Sequence, residues 1–215
     1  MKNHTIVTIA LLSCLLSSGC VTGRRIVDLP VSNVAGTSTN KGRLYIGSIE
    51  DHRTFENKPT SPSTPSIDGD VTQCSKEQLS MMIGRQRNTY GHAMGDITLP
   101  SGDSVQQRTR ALLKEGLERR GYAIAQDPAS AGTAAVTIDE FWAWFTPGFV
   151  TISFEAHVAC ELTITRDGVA KKLKVKGYGR NQGQVASNAN WQVAYQRAFD
   201  DFLANLNTEL GNAGL

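Results

Sequence analysis

The chain has 215 residues, of which 40% are hydrophobic, and a formal charge of +2, enough for one folded domain with additional segments. Once residues 1–19 are set aside, which carry only Lys2, 21 basic residues face 20 acidic ones. A balance this even excludes a nucleic-acid interface that depends on a large net positive charge.

The N-terminus reads as an export signal. Lys2 and His4 precede an apolar run over 6–16, followed by Ser17, Ser18, Gly19 and Cys20. A short positive region, about ten apolar residues and small residues before the cut describe a signal peptide too short to span a membrane. The sequence at Cys20 resembles the lipobox of bacterial lipoproteins, in which the cysteine is acylated and becomes the first mature residue. It departs from that pattern in having Ser17 where leucine is usual. Leu11-Leu12-Ser13-Cys14 is a rival box that would strand Leu15 and Leu16 in the mature chain. An ordinary cleaved signal would instead release the protein into the periplasm. By the same resemblance Val21, standing where an aspartate would signal retention, implies sorting to the outer membrane. Several acyl chains on one residue give stable anchoring.

Residues 20–42 are expected to be a lipidated cysteine followed by a flexible Ser/Thr/Gly/Asn tether. One domain is then expected over 43–215. Its first strand is RLYIGSI at 43–49, followed by an extended loop over 57–70 that holds Pro59, Pro62 and Pro65. A short helix is predicted within 73–84. Residues 84–95 are basic and punctuated by glycine, but lack the Gly-Lys-Ser/Thr ending of a phosphate loop; a surface loop or irregular hairpin is expected there. Residues 103–120 predict a helix with Asp103 as cap, Gln106 as its partner and an apolar stripe of Val105, Thr109, Leu112, Leu113, Gly116 and Leu117.

Residues 134–165 form the spine of the domain, two strands joined at Pro147-Gly148. From Val150 to Ile164 the even positions are apolar and the odd ones largely polar, the period of a strand with one buried face. In the preceding strand the same period puts Val136, Ile138, Trp142 and Trp144 on one face, and Phe141 and Phe145 on the other. A third strand over 170–179 places Lys172, Lys174 and Lys176 opposite Glu155, His157 and Glu161. A last helix, capped by Ser187 or Asn188, presents Trp191, Ala194, Tyr195, Ala198, Phe199, Phe202, Leu203, Leu206 and Leu210. The expected fold class is α+β: an antiparallel sheet of about four strands with two amphipathic helices on one face, in the order β-α-β-β-β-α.

With the helix ending LLKEGLERRGY, the hairpin and the helix WQVAYQRAFDDFLANLNTEL placed, residues 43–210 resemble the YajG-like family of bacterial lipoproteins. That resemblance implies an envelope protein, with links among relatives to flagellar or envelope biogenesis, and it supplies no catalytic residues.

No catalytic or metal-binding motif occurs. His-Glu-x-x-His, Cys-x-x-Cys and Gly-x-Ser-x-Gly are all absent, and His52, His92 and His157 are scattered. Asp139 and Glu140 are adjacent, and on a regular strand would point to opposite faces. No cofactor or metal is expected. Cys74 and Cys160 could pair in an oxidising compartment, or Cys160 could be a buried thiol. The aromatic set Phe141, Trp142, Trp144, Phe145 and Phe149 leaves one face in need of cover, supplied by the proline-rich loop, by a second protein or by the membrane interface. The function expected is that of a non-enzymatic, periplasm-facing outer-membrane lipoprotein that binds another envelope protein, the alternative being a cell-wall glycan or small-ligand binding module.

Overall fold

The computed structural model describes residues 23–31, 41–88, 92–148 and 150–215. The signal peptide, Cys20, half of the expected tether (21–22 and 32–40) and Phe149 lie outside the described residues. Strands are β1 (Arg25–Ile26), β2 (Arg43–Asp51), β3 (Met82–Arg87), β4 (Ala93–Thr98), β5 (Ala123–Ile124), β6 (Gly132–Pro147), β7 (Ile152–Arg166) and β8 (Val169–Gly183). The helices are α1 (Lys76–Met81), α2 (Val105–Arg119) and α3 (Asn188–Asn212), with single 3₁₀ turns at Val71–Gln73 and Pro128–Ser130.

The class is α+β, but the sheet is not the four-stranded antiparallel one expected. Among the described residues it has eight strands of mixed direction. Strand β7 pairs antiparallel with β6 and β8, whereas the other edge of β6 is shared by two parallel partners. β2 occupies its first half, from Leu44↔Gly132 to Asp51↔Ile138, and β3 its second half at Gly84↔Ala143 and Arg85↔Trp144. β4 and then β1 extend the sheet beyond β3. Of the strands missed in the sequence, β1 and β5 are two-residue segments joined by non-local parallel pairing, which leaves no turn signature between partners, whereas β3 and β4 pair antiparallel with each other.

Helices α2 and α3 cover one face. All nine apolar residues expected on α3 are buried, as is the whole expected stripe of α2. Ser187 caps α3 through the Asn190 N–H, and Ser104, rather than Asp103, caps α2 through the Gln107 N–H. Asp103 instead pairs with Arg108. Gly177 and Gly179 let α3 lie directly on β8: a Cβ on Gly179 would overlap the Ala194 carbonyl oxygen, and one on Gly177 that of Ala198. The helix expected within 73–84 ends at Met81, and the chain passes straight into β3. Among the described residues no helix is long and apolar enough to cross a membrane.

The expected tether needs a second correction. Its part at 23–31 is folded into the domain: the Gly23 N–H donates to the Met94 carbonyl, β1 pairs with β4, and Val27 and Leu29 are buried. Two large apolar side chains in nine residues are enough to fix such a segment.

Candidate functional site

The second face of the sheet is where the sequence left a question, and its geometry follows from one residue. In the β6–β7 ladder Ile138 pairs with Cys160 and Glu140 with Ala159, so Asp139 has no partner. This is a β-bulge, which inserts one residue and reverses the faces beyond it. Ala134, Val136 and Ile138 point to the helices before the bulge, and Phe141, Ala143 and Phe145 after it, all in one core. Trp142 and Trp144 point the other way, into a second cluster with Ile67 and Met82, flanked by Phe55, Val71, Cys74 and Leu79. The expected faces of 136–145 are therefore wrong beyond Ile138.

The bulge also overturns the separation of Asp139 and Glu140. Both are exposed and both line one cleft of about 540 Å³ with His52, Glu56, Trp142 and His157. His157 Nδ1 lies 3.2 Å from Glu140 Oε2, and the ring meets Trp144 and Tyr178 edge-on at centroid distances of 5.0 and 5.2 Å. His52 Nε2 is 3.0 Å from Glu50 Oε2. Three carboxylate side chains and no lysine or arginine line this cleft, which suits uncharged hydrogen-bonding or cationic groups rather than anions. His92 belongs to a different cleft, beside Arg85 and Arg87. No group of three or more His, Cys, Asp or Glu is arranged to hold a metal among the described residues.

The roof over this face is the proline-rich loop, held by arginines. Arg53, whose side chain is fully buried, sits at the fork where β2 and β3 part on the edge of β6. Its Nη1 donates to the carbonyls of Met82 (2.6 Å) and Phe141 (2.9 Å), Nη2 to Leu79 O and Asp51 Oδ2 (both 2.8 Å), and Nε to Asp51 Oδ1 (2.8 Å). All five N–H groups of the guanidinium are thereby satisfied. Arg85 donates to the Ile67 carbonyl and to Asp68, and Arg87 to the Pro59 carbonyl at 2.8 Å. Trp142 Nε1 donates to the Pro62 carbonyl at 3.2 Å. The basic segment expected as a surface loop or irregular hairpin is an antiparallel β3–β4 pair with two register shifts, and the six residues of β3 are all buried rather than on the surface. Beside it Asp96 is 2% exposed, and burial raises its carboxyl above the ordinary range, a shift that the Asp68 N–H and Arg85 partly offset.

The aromatic candidates are consequently interior. Phe141 is fully buried, and Trp142, Trp144 and Phe145 are 2%, 7% and 7% exposed. A partner-binding patch made of these four is corrected to two closed clusters, Phe141 and Phe145 in the main core on the helix side and Trp142 and Trp144 in the cluster beneath the loop. Cys74 and Cys160 are free thiols on opposite faces of the sheet, Cys74 against the tryptophan cluster and Cys160 in the main core. Glu161 takes Lys172 at 3.3 Å and Lys174 at 3.9 Å, whereas Glu155 meets the Tyr178 hydroxyl at 3.0 Å and His157 lies opposite Tyr178 rather than a lysine.

No protein-family model and no curated protein matches the chain. Solved structures resemble it only loosely, as two of them show. One, described only as an uncharacterized protein, is 10% identical with a TM-score of 0.38 over 89% of this chain and 95% of that one. The other, the hypothetical protein CT253 from Chlamydia trachomatis, is 10% identical with a TM-score of 0.33 over 79% of this chain and 98% of that one.

Proposed function

We propose that this chain is an accessory lipoprotein of the outer membrane, acylated at Cys20 and facing the periplasm, which binds another envelope component without carrying out a reaction on it. Membership of the YajG-like family is part of the same reading and rests on the residues that carry that resemblance. The observation that carries the binding half is the cleft between the proline-rich loop and the β6 bulge, where Glu56, Asp139, Glu140 and His157 converge on one accessible concavity. Groups of this kind supply hydrogen bonds and selectivity at a site whose scaffold is already rigid. The concave shape favours a second occupant class, a cell-wall glycan or small ligand.

A photo-crosslinking residue at Glu140, in the acylated protein in intact cells, tests the reading. A discrete adduct of protein mass is expected, and one absent when the crosslinker is moved to Val169. Adducts to isolated cell wall in place of protein would establish the second occupant, and adducts equal at both positions would remove the cleft from consideration. Fractionation of Cys20→Ser checks the anchor: the variant should leave the membrane fraction.

A further inference from the structure

We propose that one end of the sheet rests directly on the lipid surface. This end carries the β6–β7 turn, the β3–β4 turn and the bend after β8, and the proposal rests on acylation at Cys20. The argument begins with reach. The fold holds the chain from Gly23 onward, because the Gly23 N–H is bonded to Met94 and β1 follows at Arg25. Two residues, Val21 and Thr22, separate Cys20 from Gly23, and the three residue steps can span at most about 11 Å. An anchor on so short a leash leaves the domain no room to stand away from the bilayer, so the place where the chain joins the fold decides which surface meets it.

Register identifies that surface. Met94 is next to Ala93, which pairs with Arg87 at the β3–β4 turn. β3 runs parallel to β6, with Arg85 level with Trp144, so this turn lies at the Pro147 end of β6. Pro147 pairs with Ile152, and Ile152 with Gly183 at the end of β8. The turn at 148–151, the bend at 184–187 and the joining point at Gly23 therefore share one end of the sheet, whereas the β7–β8 turn, where Arg166 pairs with Val169, lies at the other.

The side chains at the joining end fit a lipid interface. Val150 is 70% exposed and Val185 is 65% exposed; Ile26, 60% exposed, lies further along the edge strand that leads from the anchor, level with Thr98 and away from the β3–β4 turn. The Ile26 carbonyl accepts from Asn188 at the start of α3, which ties that strand to the Val185 bend. Arg24, with 64% of its side chain exposed, stands between the anchor and β1, its guanidinium 4.0 Å from the Asp96 carboxylate. A few apolar side chains beside an acylated residue provide the second contact that fixes how the domain sits.

The test uses acylated full-length protein with Cys74→Ser, in vesicles of phosphatidylethanolamine and phosphatidylglycerol doped with a brominated phospholipid. An environment-sensitive fluorophore is placed at Val150→Cys, Val185→Cys or Val169→Cys, one at a time. All three valines are exposed, so the substitutions leave the core intact. Emission is expected to be quenched at 150 and 185 and unaffected at 169. Mass analysis of the N-terminal peptide in the same samples reports acylation. Acylated protein with three equally unquenched labels would overturn the orientation alone; protein without acyl chains would overturn the anchor and, with it, the orientation.

Discussion

Arg53 Nη1 donates to the carbonyl of Phe141 across 2.9 Å, in the gap where neither β2 nor β3 can reach the edge of β6. The bond closes a break in the sheet with a side chain in place of a strand. Asp51, held at 2.8 Å, is the counter-charge. Arg53→Ala takes the guanidinium from the buried carbonyls of Met82 and Phe141 and from Asp51, a loss of about 3–5 kcal/mol for a broken buried pair. Urea unfolding of the soluble Cys20→Ser protein, with and without the change, measures it. A midpoint shift within error would show that the fork is held by other means.

Trp142→Ala is expected to destabilise the fold by about 3–5 kcal/mol, the range for deleting a large buried aromatic. Trp142 is 2% exposed, meets Phe55 edge-on and bonds to Pro62, so its loss should also free the loop. Limited proteolysis near Pro62 reports that second effect. Unchanged stability with unchanged digestion would return this tryptophan to the surface.

Gly179→Ala tests the closeness of α3 to β8. The added methyl would fall on the Ala194 carbonyl and the Ala198 nitrogen, backbone that can move only with the helix. A cost of about 1–3 kcal/mol is expected from overpacking, read from thermal unfolding. Gly168→Ala, in the open β7–β8 turn at φ +78°, meets no atom and costs only its backbone strain of about 1 kcal/mol.

The Cys160 thiol is pushed up to about 12 by burial, with Asp139 adding to the shift. Because the folded value exceeds the ordinary 9.0, its contribution to stability is complete below pH 9 and is lost as pH rises through the folded value. At mildly alkaline pH the native protein should therefore react with iodoacetamide at Cys74 and not at Cys160, and urea should expose the second thiol. Equal native rates would contradict the burial.

The parts of the fold legible in the sequence are those whose periodicity is uninterrupted. The α3 stripe and the even-numbered face of β7 each repeat long enough that no single residue disturbs the pattern. β3 was hidden because Met82-Ile83-Gly84-Arg85-Gln86-Arg87 has the composition of a surface segment; its arginines are tolerable inside only because loop carbonyls from 59–67 receive them. The cleft was hidden for a related reason. Its residues come from 52–65, 139–142 and 157, and what unites them is a bulge that alternation cannot announce.

Asp139 gives β6 two grammars. Upstream, even numbers mean the helix side; downstream, even numbers mean the loop side, while β7 keeps a single parity throughout. Removing that one residue would not shorten the strand so much as turn its second half inside out, sending Trp142 and Trp144 toward α3 and Phe141 and Phe145 toward the loop. The proline-rich loop and the last helix are thus matched to opposite readings of one strand, and neither could accept the other's side chains. A deletion here would be felt as a mispairing of layers, at a position that carries only a solvent-facing carboxylate.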